Sequence, residues 1–368
     1  MSLLIISHAF DEHGICVAAA LAKRGRRVVI WPQPQIAGTQ LASVSLGKSG
    51  TYFSIESRSY RSNFFDAVWM RRHSQISLPE WVVQEDSTFA EQENRSFFRS
   101  IWSALDAETK WIHSISNYQR AETKVQQLRT ALDVKFKIPE TLVSNAPQEI
   151  EDFVGSLEYG DGAIYKTFYP MAWDEPGVVK PMYTASVKAS DFTNHRVISA
   201  VPGIYQRKVN KLYEVRSTFF GKEDRTIKID SQRSAQGELD WRNISVVSEY
   251  ASPHRLPEDV KLKCLAYMEI FQIEIACFDF IVDERGDYVF LEANQQGQFL
   301  WVEMILPEIR MLDVASDFFC AHLAGSSLQA ECSKTSLHDL VREELYVKIK
   351  EDLKTNRFVD TQDYKELI

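Results

Sequence analysis

The chain has 368 residues, of which 45% are hydrophobic and 25% charged, with a formal net charge of −9. That length accommodates two or three domains with ample core, and the composition is that of an ordinary soluble globular protein. The negative balance argues against nonspecific nucleic-acid binding, which rests on Lys and Arg neutralising phosphates, while leaving room for a local basic cleft.

The cysteines, Cys16, Cys264, Cys277, Cys320 and Cys332, are dispersed, with no CxxC pair. An odd, scattered set fits a reducing cytoplasm and not a disulfide framework. No apolar run approaches transmembrane length, and residues 1–10 lack the basic start of a signal peptide, so no membrane partner is expected.

Residues 3–6, Leu-Leu-Ile-Ile, read as a buried strand, 14–21 as a small-residue helix and 27–31 as a second strand. This β-α-β opening predicts an open α/β sheet. There is no GxGxxG, so no dinucleotide site is expected. His8, Asp11, Glu12 and His13 follow the first strand, where α/β ligands often bind; a polar loop with a helix cap is the plainer account. Residues 65–72 form a strand ending in Arg71 and Arg72. Paired arginines can clamp a carboxylate or phosphate, or simply solvate a strand end.

Residues 85–106 predict a long helix, with Phe89, Phe98, Ile101, Trp102 and Leu105 near helical spacing as core. A second helix over 118–132 carries Lys124, and Pro147 starts another. Lys166 falls in the middle of an apolar strand at 163–168. A lysine there needs a partner, and a nucleotide phosphate would supply one. Snorkelling to the surface is the alternative, stronger for Lys124 than for Lys166. Glu214 and Arg216 are two apart, so on a strand they share one face, lining one groove or pairing with each other. Residues 257–271 read as a helix, 307–324 as another, and 336–353 as a charged amphipathic helix with Leu337, Leu340, Val341, Leu345, Val347 and Ile349. That last helix could dock on the body, bind a partner or dimerise, which leaves a homodimer open.

Residues 275–282 and 288–291 flank a turn containing Arg285-Gly286 and predict a β-hairpin. Centring the turn on that pair sets Asp283 opposite Tyr288, Ile281 opposite Phe290 and Asp279 opposite Glu292, with Asn294 on the same face as Glu292. Like charges directly opposite on a sheet are destabilising. Two carboxylates and an amide oxygen form a hard-oxygen set suited to Mg²⁺ or Mn²⁺. A solvated hairpin fits Asp283, Glu284 and Asp287 well, but fits Asp279 poorly, between Phe278 and Phe280.

A carboxylate strand followed by Leu-Glu-Ala-Asn at 291–294 resembles the C-terminal metal motif of ATP-grasp ligases. The runs Val-Trp-Met-Arg-Arg at 68–72, Asp-Trp-Arg at 240–242 and Gly-Gln-Phe-Leu-Trp-Val-Glu at 297–303 are similar to signatures of the branch that macrocyclises ribosomal peptides, the microviridin or graspetide ligases. They occur in that family's order. The resemblance implies an ATP-grasp fold of α/β (α+β) class: an N-terminal open α/β pre-ATP-grasp domain over 1–112, a small central α/β domain over 113–200 and a C-terminal ATP-binding sheet domain over 201–328. A charged helical extension over 329–368 lies beyond it.

By the same resemblance Lys124 and Lys166 would hold nucleotide phosphates. The hinge strand at 203–209, with Gln206 and Val209, would read adenine. Glu214 would bind ribose, and Arg216 and Arg242 would steady the transferring phosphoryl group or acyl phosphate. Asp279, Glu292 and Asn294 would hold the metal, and Arg71 or Arg72 would face the substrate. Two departures stand out. Arg207 replaces the glutamate usual one position after Gln206, and the stretch 169–177 has one glycine where many relatives have a glycine-rich loop over the phosphates.

The function implied is an ADP-forming ligase using ATP and Mg²⁺ in the cytoplasm. It would activate Asp or Glu side chains of a precursor peptide, leader plus core, and join them to Ser/Thr or Lys side chains as ω-esters or ω-amides. An amino-acid or glutamate ligase acting on a small molecule or protein tail, and a non-catalytic nucleotide-binding protein, are the alternatives.

Overall fold

The structure, a computed structural model, describes residues 1–56, 58–72, 76–106, 109–169, 172–175, 178–181, 184–323, 334–355 and 357–368. These fall into two units. One comprises Met1–Tyr118, Ile273–Ile275 and Gln296–Ile368, the other Gln119–Gln272 and Ala276–Gln295. The four consecutive segments expected from the sequence are therefore regrouped, because the chain leaves the first unit, builds the second and returns.

In the first unit β1 (Ser2–Ser7), α1 (Glu12–Lys23) and β2 (Arg27–Pro32) form the predicted β-α-β opening. An antiparallel meander, β3 (Ala42–Gly47), β4 (Gly50–Ile55) and β5 (Arg58–Arg61), follows where the sequence analysis assigns nothing. Then come β6 (Ala67–Met70), α2 (Ser87–Asp106) and β7 (Lys110–Trp111). β1 pairs in parallel with both β2 and β6, and all its residues are buried, as a central parallel strand requires. Trp31, Phe53, Tyr60, Phe65 and Phe98 share one core cluster. Only the second half of α2 packs there. Phe98, Ile101 and Leu105 are buried, but Phe89 is 67% exposed, so the predicted core stripe does not reach it.

Entering the second unit, the single helix expected over 118–132 is two: α3 (Ile115–Glu122) and α4 (Lys124–Asp133), with Thr123 at the N-cap position. β8 (Thr141–Ser144), α5 (Pro147–Leu157) and β9 (Ala163–Lys166) follow. Lys166 ends its strand instead of sitting mid-strand. The stretch expected as a covering loop holds β10 (Ala172–Glu175), paired antiparallel with β11 (Val178–Pro181); Pro170, Met171, Pro176 and Gly177 lie outside the described residues. β12 (Ala185–Val187), α6 (His195–Ala200) and β13 (Gly203–Arg207) complete a sheet ordered β12-β9-β13-β8. Its core joins Ile150, Val154 and Leu157 of α5 to Ala163, Phe192 and Tyr205.

The larger sheet of this unit is built from β14 (Lys211–Phe220), β15 (Glu223–Ile229) and β16 (Ala251–His254), then α7 (Glu258–Phe271), β17 (Ile275–Asp283) and β18 (Tyr288–Asn294). The order is β16-β15-β14-β17-β18, leaving β18 at an edge. Tyr267 of α7 packs its ring against Phe278 at 5.3 Å and Phe290 at 5.5 Å. One face of the β17–β18 hairpin is thereby committed to core and the other is free to carry charge.

The chain returns to the first unit through α8 (Leu300–Ile305) and α9 (Met311–Leu323). The helix expected over 307–324 is interrupted by Arg310, whose φ of 51° ends a 3-10 turn before α9 starts; Ala324 lies outside the described residues. The tail is no free extension. Residues 329–333, including Cys332, are outside the described set, but from 334 onward the chain packs into this unit. α10 (Leu337–Leu340) and α11 (Glu344–Lys354) rest on α1, burying Leu345, Ile349 and Leu353, and β19 (Val359–Asp360) adds an antiparallel edge to β2. Buried Asp360 receives the guanidinium groups of Arg27 (2.6 Å) and Arg58 (3.2 Å). The amphipathic face read from the sequence is used internally. Among the described residues no helix is long and apolar enough to cross a membrane.

Candidate active site

The hairpin β17–β18 fixes the centre of the site. Asp279 lies opposite Glu292, as predicted, and Cys277 opposite Asn294. The route to that register differs from the expectation. Val282 faces Tyr288, Ile281 faces Val289 and Phe280 faces Phe290. The loop has three central residues, with Gly286 in the left-handed region at φ 82° and the Asp283 carboxylate accepting the amides of Arg285 and Asp287, both at 2.9 Å. A three-residue loop ending in a left-handed glycine shifts the pairing by one residue. An irregularity between Asp279 and Phe280 shifts it back, so the two departures cancel at the carboxylates.

Basic groups converge on these carboxylates. Arg216 Nη1 donates to both oxygens of Asp279, at 2.9 and 3.0 Å, and the two side chains are only 10% and 14% exposed. Lys124 Nζ donates to Glu292 Oε2 at 2.6 Å, and Asn294 Nδ2 to Glu292 Oε1 at 3.1 Å. Burial pushes the Asp279 carboxyl above its usual range; Arg216 opposes this, and Glu292 opposite adds to it. Burial works the same way on Glu292, but Lys124, Arg242 and Lys166 outweigh it and hold that carboxyl low. The two acids therefore differ: basic groups hold the Glu292 carboxyl low, whereas burial prevails at Asp279 despite Arg216 and Arg242.

Lys166 shows the opposite strain. Burial lowers its pKa, with Glu292 opposing and Arg242 reinforcing the shift, and among the described residues no hydrogen bond or ion pair holds its ammonium. Arg242 is held by Asp240, through Nε at 2.8 Å and Nη2 at 2.7 Å, yet is half exposed. Asp240 also caps the short turn Trp241–Asn243 and accepts from Thr184. Glu214 and Arg216 share a strand but do not pair with each other. Buried Glu214 accepts from Lys211 Nζ at 2.6 Å, and burial, opposed by Lys211, pushes its carboxyl up.

On the hinge strand Gln206 Nε2 donates to Thr141 Oγ1 at 3.0 Å, while its buried Oε1 has no hydrogen-bond partner among the described residues. Arg207, the departure from the family pattern, is engaged by Glu140 at 2.7 Å. Val209 follows β13 in the connection to β14.

In the first unit Arg71 is 1% exposed, donating to the Gln296 carbonyl and lying 3.5 Å from Asp11. Its guanidinium is held inside the fold. Arg72 is partly exposed, and among the described residues its guanidinium has no hydrogen bond or ion pair. His13 Nε2 accepts the amides of Phe299 (2.9 Å) and Leu300 (3.3 Å), and Glu303 accepts those of Leu312 (2.7 Å) and Leu337 (2.8 Å). The run at 297–303 is thus secured by buried side chains from both of its ends. Sequence reasoning gave no role to Asp240, Lys211 or Gln127, although Asp240 stands in the Asp-Trp-Arg run and Gln127 follows Lys124 in a run, Gln126-Gln127-Leu128, that resembles the same ligases. The spacing of three from Lys124, on one helix face, was the signal for Gln127.

Asp279, Glu292 and Asn294 offer two carboxylates and an amide, a donor set that fits a hard divalent cation. Among the described residues there is no cluster of three or more His, Cys, Asp or Glu that would make a competing metal centre.

Residues 2–119 match the family model described as the MvdD pre-ATP grasp domain. A search of the curated proteins finds no match. Among solved structures the chain is similar to a RiPP-associated ATP-grasp ligase of Chryseobacterium gregarium, in complex with ADP and a leader and core peptide, at 24% identity and a TM-score of 0.77, over 91% of this chain and 99% of that one. It is similar to the macrocyclase MdnC of Microcystis aeruginosa MRC, bound with precursor peptide MdnA, at 22% identity and 0.74, over 87% and 100%. It is also similar to the ATP-grasp ligase PsnB, complexed with a precursor variant, Mg and ADP, at 19% identity and 0.64, over 88% and 99%. The chain therefore has the ATP-grasp fold, opening at residues 2–119 with the MvdD-type domain that its sequence matches.

Proposed function

We propose that this chain is an ATP-dependent, ADP-forming peptide ligase that joins Asp or Glu side chains of a ribosomal precursor peptide to hydroxyl or amino side chains of the same peptide. The observation that carries the reading is the convergence of Lys124, Lys166, Arg216 and Arg242 on the Asp279–Glu292 pair, with no hydrogen bond or ion pair to the Lys166 ammonium among the described residues. Basic groups in excess of the acids they face suit a polyphosphate. Lys166, destabilised by burial, gains most from one. Gln206 Oε1 and the backbone through Val209 would receive the adenine, and Glu214 the ribose. Asp279, Glu292 and Asn294 would hold Mg²⁺ or Mn²⁺, which would act there as a Lewis acid and offset negative charge on the phosphates.

A carboxylate is a poor electrophile. In the proposed reaction a peptide carboxylate oxygen attacks the γ-phosphorus, breaking its bond to ADP and giving an acyl phosphate. A hydroxyl or amine then attacks the acyl carbon, loses its proton, and phosphate leaves with one former carboxylate oxygen. Arg216 and Arg242 would steady the charge in both steps, and Arg72 is the candidate contact for a substrate carboxylate. The similar structures support a peptide acceptor, since all three were solved with a leader and core peptide, a precursor peptide or a precursor variant. The four described cysteines are all buried and none forms a disulfide among the described residues, which goes with action in the cytoplasm.

The test is ADP release with Mg-ATP and the precursor peptide encoded beside this gene, read with the peptide's mass. The reading predicts loss of one water per link and no loss with Glu292→Gln. ADP release with an unchanged peptide mass would transfer the activity to a small-molecule or protein-tail acceptor.

A further inference from the structure

We infer that Gln127 is the positioning residue that sets the metal-binding strand against the helix carrying Lys124; the inference rests on the reading of Asp279, Glu292 and Asn294 as metal ligands. β18 is an edge strand, and an edge leaves alternate backbone N–H and C=O groups without a ladder partner. At Ala293, between Glu292 and Asn294, both outward groups are taken by one side chain. Gln127 Nε2 donates to the Ala293 carbonyl at 2.9 Å, and Gln127 Oε1 accepts the Ala293 amide at 3.4 Å. The amide thus pairs Ala293 as a neighbouring strand would. Its second N–H goes to the Ala121 carbonyl at 2.7 Å, beside the entry to α4. Gln127 is 2% exposed.

The placement of Lys124 explains why such a clamp is needed. Lys124 opens α4, where the macrodipole disfavours a cation. No acidic residue sits in that first turn, and Thr123 makes no side-chain cap. Helix stability alone does not hold this end in place. Gln127, one turn on and on the same face, fixes it to β18 so that Lys124 Nζ meets Glu292 at 2.6 Å. At the other end of the edge, the Lys137 carbonyl takes the Phe290 amide at 2.8 Å. Along this edge β17 pairs the strand on one side alone, so a shift at Ala293 displaces the ligands on either side of it, Glu292 and Asn294.

The experiment compares wild type with Gln127→Met, which keeps length and volume but removes the hydrogen bonds. Mn²⁺ affinity is measured by electron paramagnetic resonance in the presence of ADP, and ADP affinity is measured separately without metal. The expected result is Mn²⁺ binding weakened at least tenfold with metal-free ADP binding within twofold of wild type; a purely structural role would move both. Equal Mn²⁺ affinity in the folded variant overturns the inference alone. Wild type that takes no Mn²⁺ with ADP overturns the metal reading and the inference with it. If Gln127→Met fails to fold, Gln127→Glu decides, since it keeps the acceptor for the Ala293 amide and loses both donors. Weakened Mn²⁺ binding with metal-free ADP binding kept within twofold supports the inference, and wild-type Mn²⁺ affinity overturns it.

Discussion

Among the described residues Arg216 is the only basic group that donates a hydrogen bond to Asp279, and both side chains are largely withdrawn from solvent. Removing one member of such a pair costs about 3–5 kcal/mol, because the remaining charge is left buried without compensation. For a domain of this size about 2–4 °C of melting temperature go with each kcal/mol, so Arg216→Met should lower the melting temperature of the ligand-free protein by about 6–20 °C near neutral pH. The loss should depend on pH in a defined direction. Burial already raises the Asp279 carboxyl, and without Arg216 it rises further. A carboxyl whose folded pKa lies above its unfolded value stabilises the fold below the unfolded pKa, and that contribution is lost as pH rises through the folded pKa. The variant should therefore lie closest to wild type toward about pH 4, the ordinary aspartate range, and fall away as pH rises. Arg216→Met/Asp279→Asn should recover much of the loss, because neither member of the pair is left charged. The assay is thermal unfolding by circular dichroism of the three proteins across that pH range. A single variant that melts with wild type at every pH, or a double variant no more stable than the single, would refute the reasoning.

Lys166→Met should leave the melting temperature unchanged or raise it, since burial works against its ammonium, while ADP affinity measured by calorimetry falls about tenfold, or ~1.4 kcal/mol. Mg-ADP at a hundred times its dissociation constant should stabilise wild type by about 2.7 kcal/mol, and Glu292→Gln should lose the part that depends on Mg²⁺ in a thermal-shift titration. Asp360→Ala should destabilise the first unit by about 1.5–3 kcal/mol, because Arg27 and Arg58 lose their shared carboxylate; urea unfolding measures it. Glu303→Leu leaves the Leu312 and Leu337 amides without acceptors, which should cost about 1–3 kcal/mol each and expose residues from 334 onward to limited proteolysis.

The placement of the candidate site was largely legible because it depends on residue type and face. Asp279, Glu292 and Asn294 alternate with apolar neighbours, so strand periodicity alone put them on one side of one hairpin. The loop geometry was not legible, since Arg285-Gly286 looks like the centre of a two-residue turn and nothing local reveals that Gly286 closes a three-residue one. The compensating irregularity beside Asp279 is a tertiary feature without a residue signature. Lys166 was found as a charge out of place, but its place at the strand end depends on pairing with β13. Arg71 shows the limit of motif reading. Two adjacent arginines look equivalent in sequence, and only packing against Asp11 and Gln296 separates the buried one from Arg72. The tail was legible as an amphipathic helix, yet what its apolar face covers, α1, lies more than three hundred residues away in the chain. The meander over residues 42–61 was missed because its short strands mix Ser, Thr and Tyr with few large aliphatic side chains.

The measurement closest to the central claim is oxygen transfer. With the Asp and Glu side-chain carboxylates of the precursor peptide labelled with ¹⁸O, activation as an acyl phosphate predicts one ¹⁸O in the released phosphate for every link formed, and a peptide lighter by one labelled water at each. Phosphate without ¹⁸O, alongside a peptide that keeps all its label, would contradict the account, because ATP would then have been cleaved without touching a side-chain carboxylate.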